Sequence, residues 1–208
     1  MRNEPGERRV GAVVLAAGSS ARMGRPKALL PWGAGVMIGQ VVETLQAAGG
    51  IGAVVVVTGH GSEQVAAAVS GRGVRLVHNP AHAEGMLSSV CAGLSAIAGE
   101  VEGIMLVLGD QPAVRAETLR RLVDAWRRSG APLAIPTYPG KRVHPVIFAA
   151  TLLREILSLR PPQTLREIVH RHLGEALLVA VEDAGVIGDV DTPEEYRRAL
   201  AQWEQEQA

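Results

Sequence analysis

Two periodicities alternate along the chain. The runs Val10–Ala16, 53–58, 74–78, 104–108, 133–136 and 146–148 carry Val, Ile, Leu and Ala at consecutive positions, so they read as strands buried on both faces. Between them, apolar residues recur at helical spacing over Met37–Ala48, 63–69, 87–97, 116–128 and 151–157. Helices are also predicted at 164–172 and 193–202, with one more strand at 176–181. Ser62 is a candidate N-cap for the second helix. The last helix has a fuller start signal: Thr192 as cap, Pro193 as first helical residue, and Glu195 placed to close a capping box. Strands alternating with helices predict a layered α/β fold with a mainly parallel sheet. In such folds ligands bind beyond the carboxyl ends of the strands. Chemistry is therefore expected in the loops after Ala16, Thr58, His78 and Leu108.

Composition narrows that chemistry. The 208 residues, 47% hydrophobic, suffice for one sizeable core, so residues 10–208 are expected to form one domain behind a disordered polar tail, 1–9. The 21 basic and 21 acidic residues cancel, so no global field favours nucleic acid or an anionic membrane, and anion binding must be local. Aromatic residues make up only 3%, which argues against stacking platforms for single-stranded nucleic acid. The single cysteine, Cys91, excludes an internal disulfide and a multi-cysteine metal site; set among Ala, Leu and Val, it reads as a buried, inert thiol. The first nine residues lack the apolar stretch of a signal peptide, and no run reaches the roughly 18 residues of a membrane span. A cytoplasmic protein is the expectation.

The segment VVLAAGSSARMGRPKALLP, residues 13–31, interrupts a buried strand with a small, polar and basic loop. Gly18 and Gly24 let the backbone turn and approach a ligand, successive backbone N–H groups can line an anion pocket, and Arg22 and Lys27 add charged donors suited to phosphate. The loop thus reads as a triphosphate clamp, with a solvated surface loop as the plain alternative. It carries neither the P-loop spacing nor the dinucleotide fingerprint G-x-G-x-x-G.

The motif LAAGSSARMGRPKALLP resembles the N-terminal motif of molybdenum cofactor cytidylyltransferase-like nucleotidyltransferases, within the MobA-like NTP transferase superfamily. The resemblance implies a Rossmann-like α/β/α sandwich of the nucleotide-diphospho-sugar transferase type. It implies that Leu15, Ala16, Ala17, Gly18 and Ser19 border the nucleotide, with Met23 and Gly24 in the same loop. Arg22 and Lys27 would hold the phosphates, and both are the expected catalytic residues.

Further along, MLVLGDQPAV places Asp110 directly after a buried run, where an acid can ligate a cation or simply start a turn. Gly-Asp-Gln-Pro resembles the metal motif of the cytidylyltransferase branch, and Ala16–Ala17 with Gln111–Pro112 favour CTP over GTP. In GDVDTPEEY, Asp189 and Asp191 alternate in an extended segment and can face one cation, or they can serve as the acidic start of a helix. The resemblance favours Asp191 as the second protein ligand to Mg²⁺. It also implies base-side contacts from Asn79, Gly85, Ser88 and Ser89, although the two serines can equally cap a helix. Thr58 and Gly59 are further nucleotide-side candidates.

KRVHPVIF resembles the family's His-Pro-Val segment, which places His144 beside the acceptor along with Gln111 and Pro112. The family's Gly-Asp-x-Gly-x-Arg stretch is replaced here by LRPPQTLREIV, so the acceptor side departs from the pattern. The function expected is Mg²⁺-dependent transfer of CMP from CTP to a phosphorylated acceptor, first of all molybdopterin, with release of pyrophosphate. That product implies transient contact with the apoenzyme that receives it. The alternatives are GTP as donor, a sugar or polyol phosphate as acceptor, a non-catalytic cofactor carrier or chaperone, and a nucleotide sensor.

Overall fold

The computed structural model describes residues 8–18, 26–188, 190 and 192–207. Strand β1, Val10–Ala16, forms where the sequence predicts and is buried along almost its whole length. Its side chains alternate between two cores. Val10, Ala12, Val14 and Ala16 enter one, while Val13, with Leu15 packed beside it, enters the other. A strand buried on both faces has to be apolar at consecutive positions, and that is the origin of the unbroken run VVLA.

Two short strands follow, β2 (Pro31–Trp32) and β3 (Gly35–Val36), paired as a separate hairpin that leads into helix α1 (Met37–Ala48). The sequence reading did not include this hairpin: two-residue strands carry no periodicity. The chain continues through β4 (Ile51–Thr58), α2 (Ser62–Ala68), β5 (Arg75–His78), α3 (Met86–Ile97), β6 (Gly103–Leu108) and α4 (Ala116–Ser129). It finishes with β7 (Leu133–Tyr138), β8 (Lys141–Arg142), β9 (Val146–Ala149), α5 (Leu153–Ser158), α6 (Leu165–Arg171), β10 (Leu177–Ala180) and α7 (Pro193–Gln207). Helix α2 starts at Ser62 itself. Its N-cap is Gly61, in the left-handed region at φ 68°, so Ser62 is not the cap.

Among the described residues the main sheet has eight strands in the order β10-β7-β9-β6-β1-β4-β5, with β8 paired to β7. The pairs β1–β4, β1–β6, β4–β5 and β7–β10 are parallel. Strand β9 runs antiparallel between β6 and β7. The connection from β7 to β9 is too short for the crossover of a dozen or more residues that a parallel return needs, so the chain must double back. One face of the sheet packs on α1, α2 and α4, the other on α3, α5 and α6, giving three layers. Each Val, Leu or Ile fully buried in these layers contributes about 1.5–3 kcal/mol. No helix of the described residues is long and apolar enough to cross a membrane.

The edge of the tail is tied to the sheet. Arg9 donates its backbone N–H to Glu102 at 2.6 Å and its guanidinium to the same carboxylate at 3.0 Å, and Arg8 lies over the Trp126 ring at 5.6 Å. Residues 1–7 of the expected tail lie outside the described residues.

Candidate active site

Strand order places the site. From β1 the chain proceeds outward through β4 to β5, then crosses back to lay β6 on the other side of β1. The connections diverge between β1 and β6, and at such a switch point their carboxyl ends leave a crevice. Ala17 and Gly18, which follow β1, and the Gly109–Asp110 turn that follows β6 lie at this place.

Gly109 sets the position of Asp110. Its N–H donates to the Leu15 carbonyl at 2.9 Å, and a Cβ built on it would stand 2.7 Å from that same oxygen. Only glycine lets the end of β6 lie this close to the end of β1. This explains the glycine before the acid, which residue spacing alone left unexplained.

Across the crevice, Lys27 begins a short 3-10 turn, Lys27–Leu29, closed by a bond from the Leu30 N–H to the Lys27 carbonyl at 2.9 Å. Its ammonium reaches Asp110 Oδ2 at 3.4 Å. The Lys27 side chain keeps 13% of its exposure and that of Asp110 keeps 29%, so the pair is half-buried yet open to a ligand. Two motifs 83 residues apart in sequence thus meet at the switch point. The pair is a poor stabiliser by itself, since desolvation offsets much of its attraction. What it provides is fixed charge where a phosphate chain can enter.

The other proposed nucleotide-side residues gather along the ends of β1, β4 and β5. Ala16, Ala17, Thr58 and Gly59 are buried, while Gly18 is exposed. The Thr58 carbonyl accepts from the Asn79 N–H at 2.8 Å, and the His60 N–H donates to the Ala17 carbonyl at 3.3 Å. Asn79 is itself buried. Its amide donates to Ser88 Oγ at 2.9 Å and to Ser89 Oγ at 3.0 Å, and its Oδ1 accepts from the Ala81 N–H at 3.0 Å. These bonds employ the polar atoms of Asn79 in shaping the 79–89 loop, so Asn79 acts on that edge through the loop it holds. Gly85 is exposed and precedes α3 at φ 107°.

On the acceptor side, Gln111 and Pro145, the neighbour of His144, line one cavity. Gln111 is buried and lines a small apolar cavity with Thr44, Leu45, Val114 and Pro145; Pro112 is buried beside it. His144 is half-buried and precedes Pro145 through a cis peptide. The replaced segment 159–169 tucks Leu159 and Ile168 into the core under the sheet and starts α6 with a capping box from Thr164 and Glu167. Ser19, Arg22, Met23, Gly24, Asp189 and Asp191 lie outside the described residues.

The donor set suits a hard divalent cation of the Mg²⁺ type, which takes one or two carboxylates and fills its shell with water and substrate phosphate oxygens. Asp110 supplies one carboxylate at the crevice. Val190 is fully buried in a cluster with Leu30, Trp32 and Met37, beside the turn that carries Lys27. Among the described residues no group of three or more His, Cys, Asp or Glu is placed to hold a metal ion.

Two structural contributors carried no sequence signal. Trp32, Tyr196 and Trp203 form a small apolar cluster behind the lysine turn, where a scattered trio of aromatics shows no pattern. Asp183, buried, caps α4 from across the fold: its Oδ2 accepts from the Arg115 N–H at 2.8 Å and from Thr118 Oγ1 at 2.7 Å. Cys91 is half-buried, and burial pushes its thiol up, opposed by the nearby Arg160. A raised thiol is a weak nucleophile, in keeping with an inert role.

A Rossmann-like sheet with a lysine and an aspartate paired at its switch point suits phosphate chemistry, and the relatives of the chain are nucleotidyltransferases. The chain belongs to the MobA-like NTP transferase domain family, which it matches over residues 12–176. It is 29% identical over 189 residues to the molybdenum cofactor cytidylyltransferase of Escherichia coli (strain K12), covering 90% of this chain and 93% of that one. It is 32% identical over 198 residues to nicotine blue oxidoreductase of Paenarthrobacter nicotinovorans, covering 92% and 96%. Among solved structures, Rv0371c from Mycobacterium tuberculosis H37Rv aligns with a TM-score of 0.81 at 32% identity, over 94% of this chain and 98% of its own. Rv0371c has also been solved in complex with manganese.

Proposed function

We propose that the protein transfers CMP from CTP to a phosphorylated acceptor, molybdopterin first among them, in a Mg²⁺-dependent reaction in the cytoplasm. The observation that carries the reading is the Lys27–Asp110 pair at the β1/β6 switch point. An acceptor phosphate oxygen attacks the α-phosphorus, a new P–O bond forms, and the bond to the bridging oxygen breaks as pyrophosphate leaves. This displacement needs alignment and charge neutralisation more than covalent help from the protein. Lys27 stabilises negative charge growing on the transferred phosphate, and Arg22 holds the neighbouring phosphates. Asp110, with Asp191 or Asp189, would hold Mg²⁺, which supplies Lewis-acid neutralisation of the triphosphate when bound. A phosphate monoester acceptor is largely ionised near neutrality, so the chain needs no general base.

The cytidylyltransferase relative supports CTP and molybdopterin, and the altered segment 159–169 makes the acceptor the open element. Incubation with CTP or GTP, Mg²⁺ and molybdopterin or sugar phosphates, with pyrophosphate as readout, tests the reading. Release with CTP and molybdopterin supports it; release with another acceptor or with GTP alone replaces the substrate, and release with none removes the function. A second reading, an oxidoreductase, is favoured by the 32% identity to nicotine blue oxidoreductase. Redox turnover of nicotine blue, in the absence of pyrophosphate release, would establish it instead.

A further inference from the structure

A third apolar cluster lies apart from the two cores that flank the sheet, and none of its residues belongs to the eight-stranded sheet. Its members come from all three polar motifs. Leu30 and Trp32 follow Lys27, Ala113 follows Asp110, and Val190 stands between Asp189 and Asp191. Leu30 is 2% exposed, Trp32 1% and Val190 0%. Helix α7 closes the cluster. The Tyr196 hydroxyl donates to the Pro31 carbonyl at 2.8 Å, and the Trp203 ring lies 5.6 Å from that of Trp32, tilted by 51°. Trp203 also covers Gly33, whose φ of 56° favours glycine and whose Cβ, if present, would stand 2.8 Å from the ring. The helix begins directly after the acid segment, through a capping box in which the Thr192 N–H donates to Glu195 at 2.8 Å and the Glu195 N–H to Thr192 Oγ1 at 3.2 Å.

We infer that Trp203 and Tyr196 are positioning residues: through Trp32, Leu30, Ala113 and Val190 they hold the lysine turn and the Asp110 turn in one register. The inference rests on the nucleotidyltransferase reading. A phosphate site built from distant stretches of chain gains its power from fixed geometry, and a shift of about 1 Å costs on the order of 100-fold in rate. Because the cluster stands off the sheet, its loss opens a local unit and leaves the fold intact. The family match ends at residue 176, so the helix that supplies this lock lies beyond the matched domain.

The test compares wild type, Trp203→Ala, Trp203→Phe and Tyr196→Phe by amide hydrogen exchange, melting temperature, and kcat and KM for pyrophosphate release. In Trp203→Ala, exchange at Leu30 and Trp32 is expected to accelerate at least tenfold, and kcat per folded molecule to fall about 100-fold. Trp203→Phe should restore most of both. Unchanged exchange, or unchanged kcat with only a lower melting temperature, overturns the inference by making the cluster plain packing. If Trp203→Ala does not fold, Tyr196→Phe decides: exchange at Leu30 rises several-fold, or the inference falls. Wild-type protein that releases no pyrophosphate with any acceptor defeats the functional reading, and the exchange data alone then judge the positioning role.

Discussion

Among single residues, Lys27, Asp110 and the glycine that places the acid carry the proposed chemistry. Replacing Lys27 with Ala should lower turnover about 10²–10³-fold, the cost of removing one preorganised donor to developing charge. Asp110→Asn keeps the shape and removes the charge. It should raise the divalent ion concentration needed for half-maximal rate, read from a metal titration of pyrophosphate release. Gly109→Ala puts a methyl against the Leu15 carbonyl, 2.7 Å from where its Cβ must sit, so the end of β6 has to move. Its effect should show in activity more than in melting temperature, because Asp110 moves with it. The lysine and the aspartate were legible because charged residues beside buried runs stand out in sequence. Asn79 was legible as a candidate, but its commitment to Ser88, Ser89 and the Ala81 N–H depends on a loop conformation that no spacing encodes.

At the scale of elements, every predicted strand and helix has a counterpart in the structure, and the strands missed are two-residue ones. Strand β1 and helix α1 form with the bounds their hydrophobic runs predict. The β2–β3 hairpin and β8 are two-residue strands, below the length at which alternation carries information. The antiparallel course of β9 follows from the length of its connection rather than from its own residues. The capping of α4 shows how a long-range bond escapes sequence reading. Its N-cap position is Arg115, which makes no side-chain cap bond, and Asp183 supplies the acceptor from 68 residues away. Asp183→Ala leaves the buried Thr118 hydroxyl without this acceptor and should destabilise the fold by about 1–3 kcal/mol, measured by urea unfolding. Thr192→Ala should cost about 1 kcal/mol through the lost cap of α7.

At the scale of the whole molecule, net charge near zero leaves electrostatics local, and one local pair ties the start of β1 to β6. Hydrogen bonds from Arg9 hold the Glu102 carboxyl below the usual glutamate range. A carboxyl depressed in the folded state stabilises fully above its unfolded value, and the contribution is lost as pH falls through the folded one. Global stability should therefore decline on acidification below the glutamate range, and Glu102→Gln should flatten that decline, measured as melting temperature against pH. In the proposed reaction, distant motifs share one triphosphate at the β1/β6 switch point. A crystal structure with CTP and Mg²⁺ tests it most directly. The triphosphate is expected within hydrogen-bond reach of Lys27, with the metal on Asp110; a nucleotide bound away from both residues would overturn the proposed reaction.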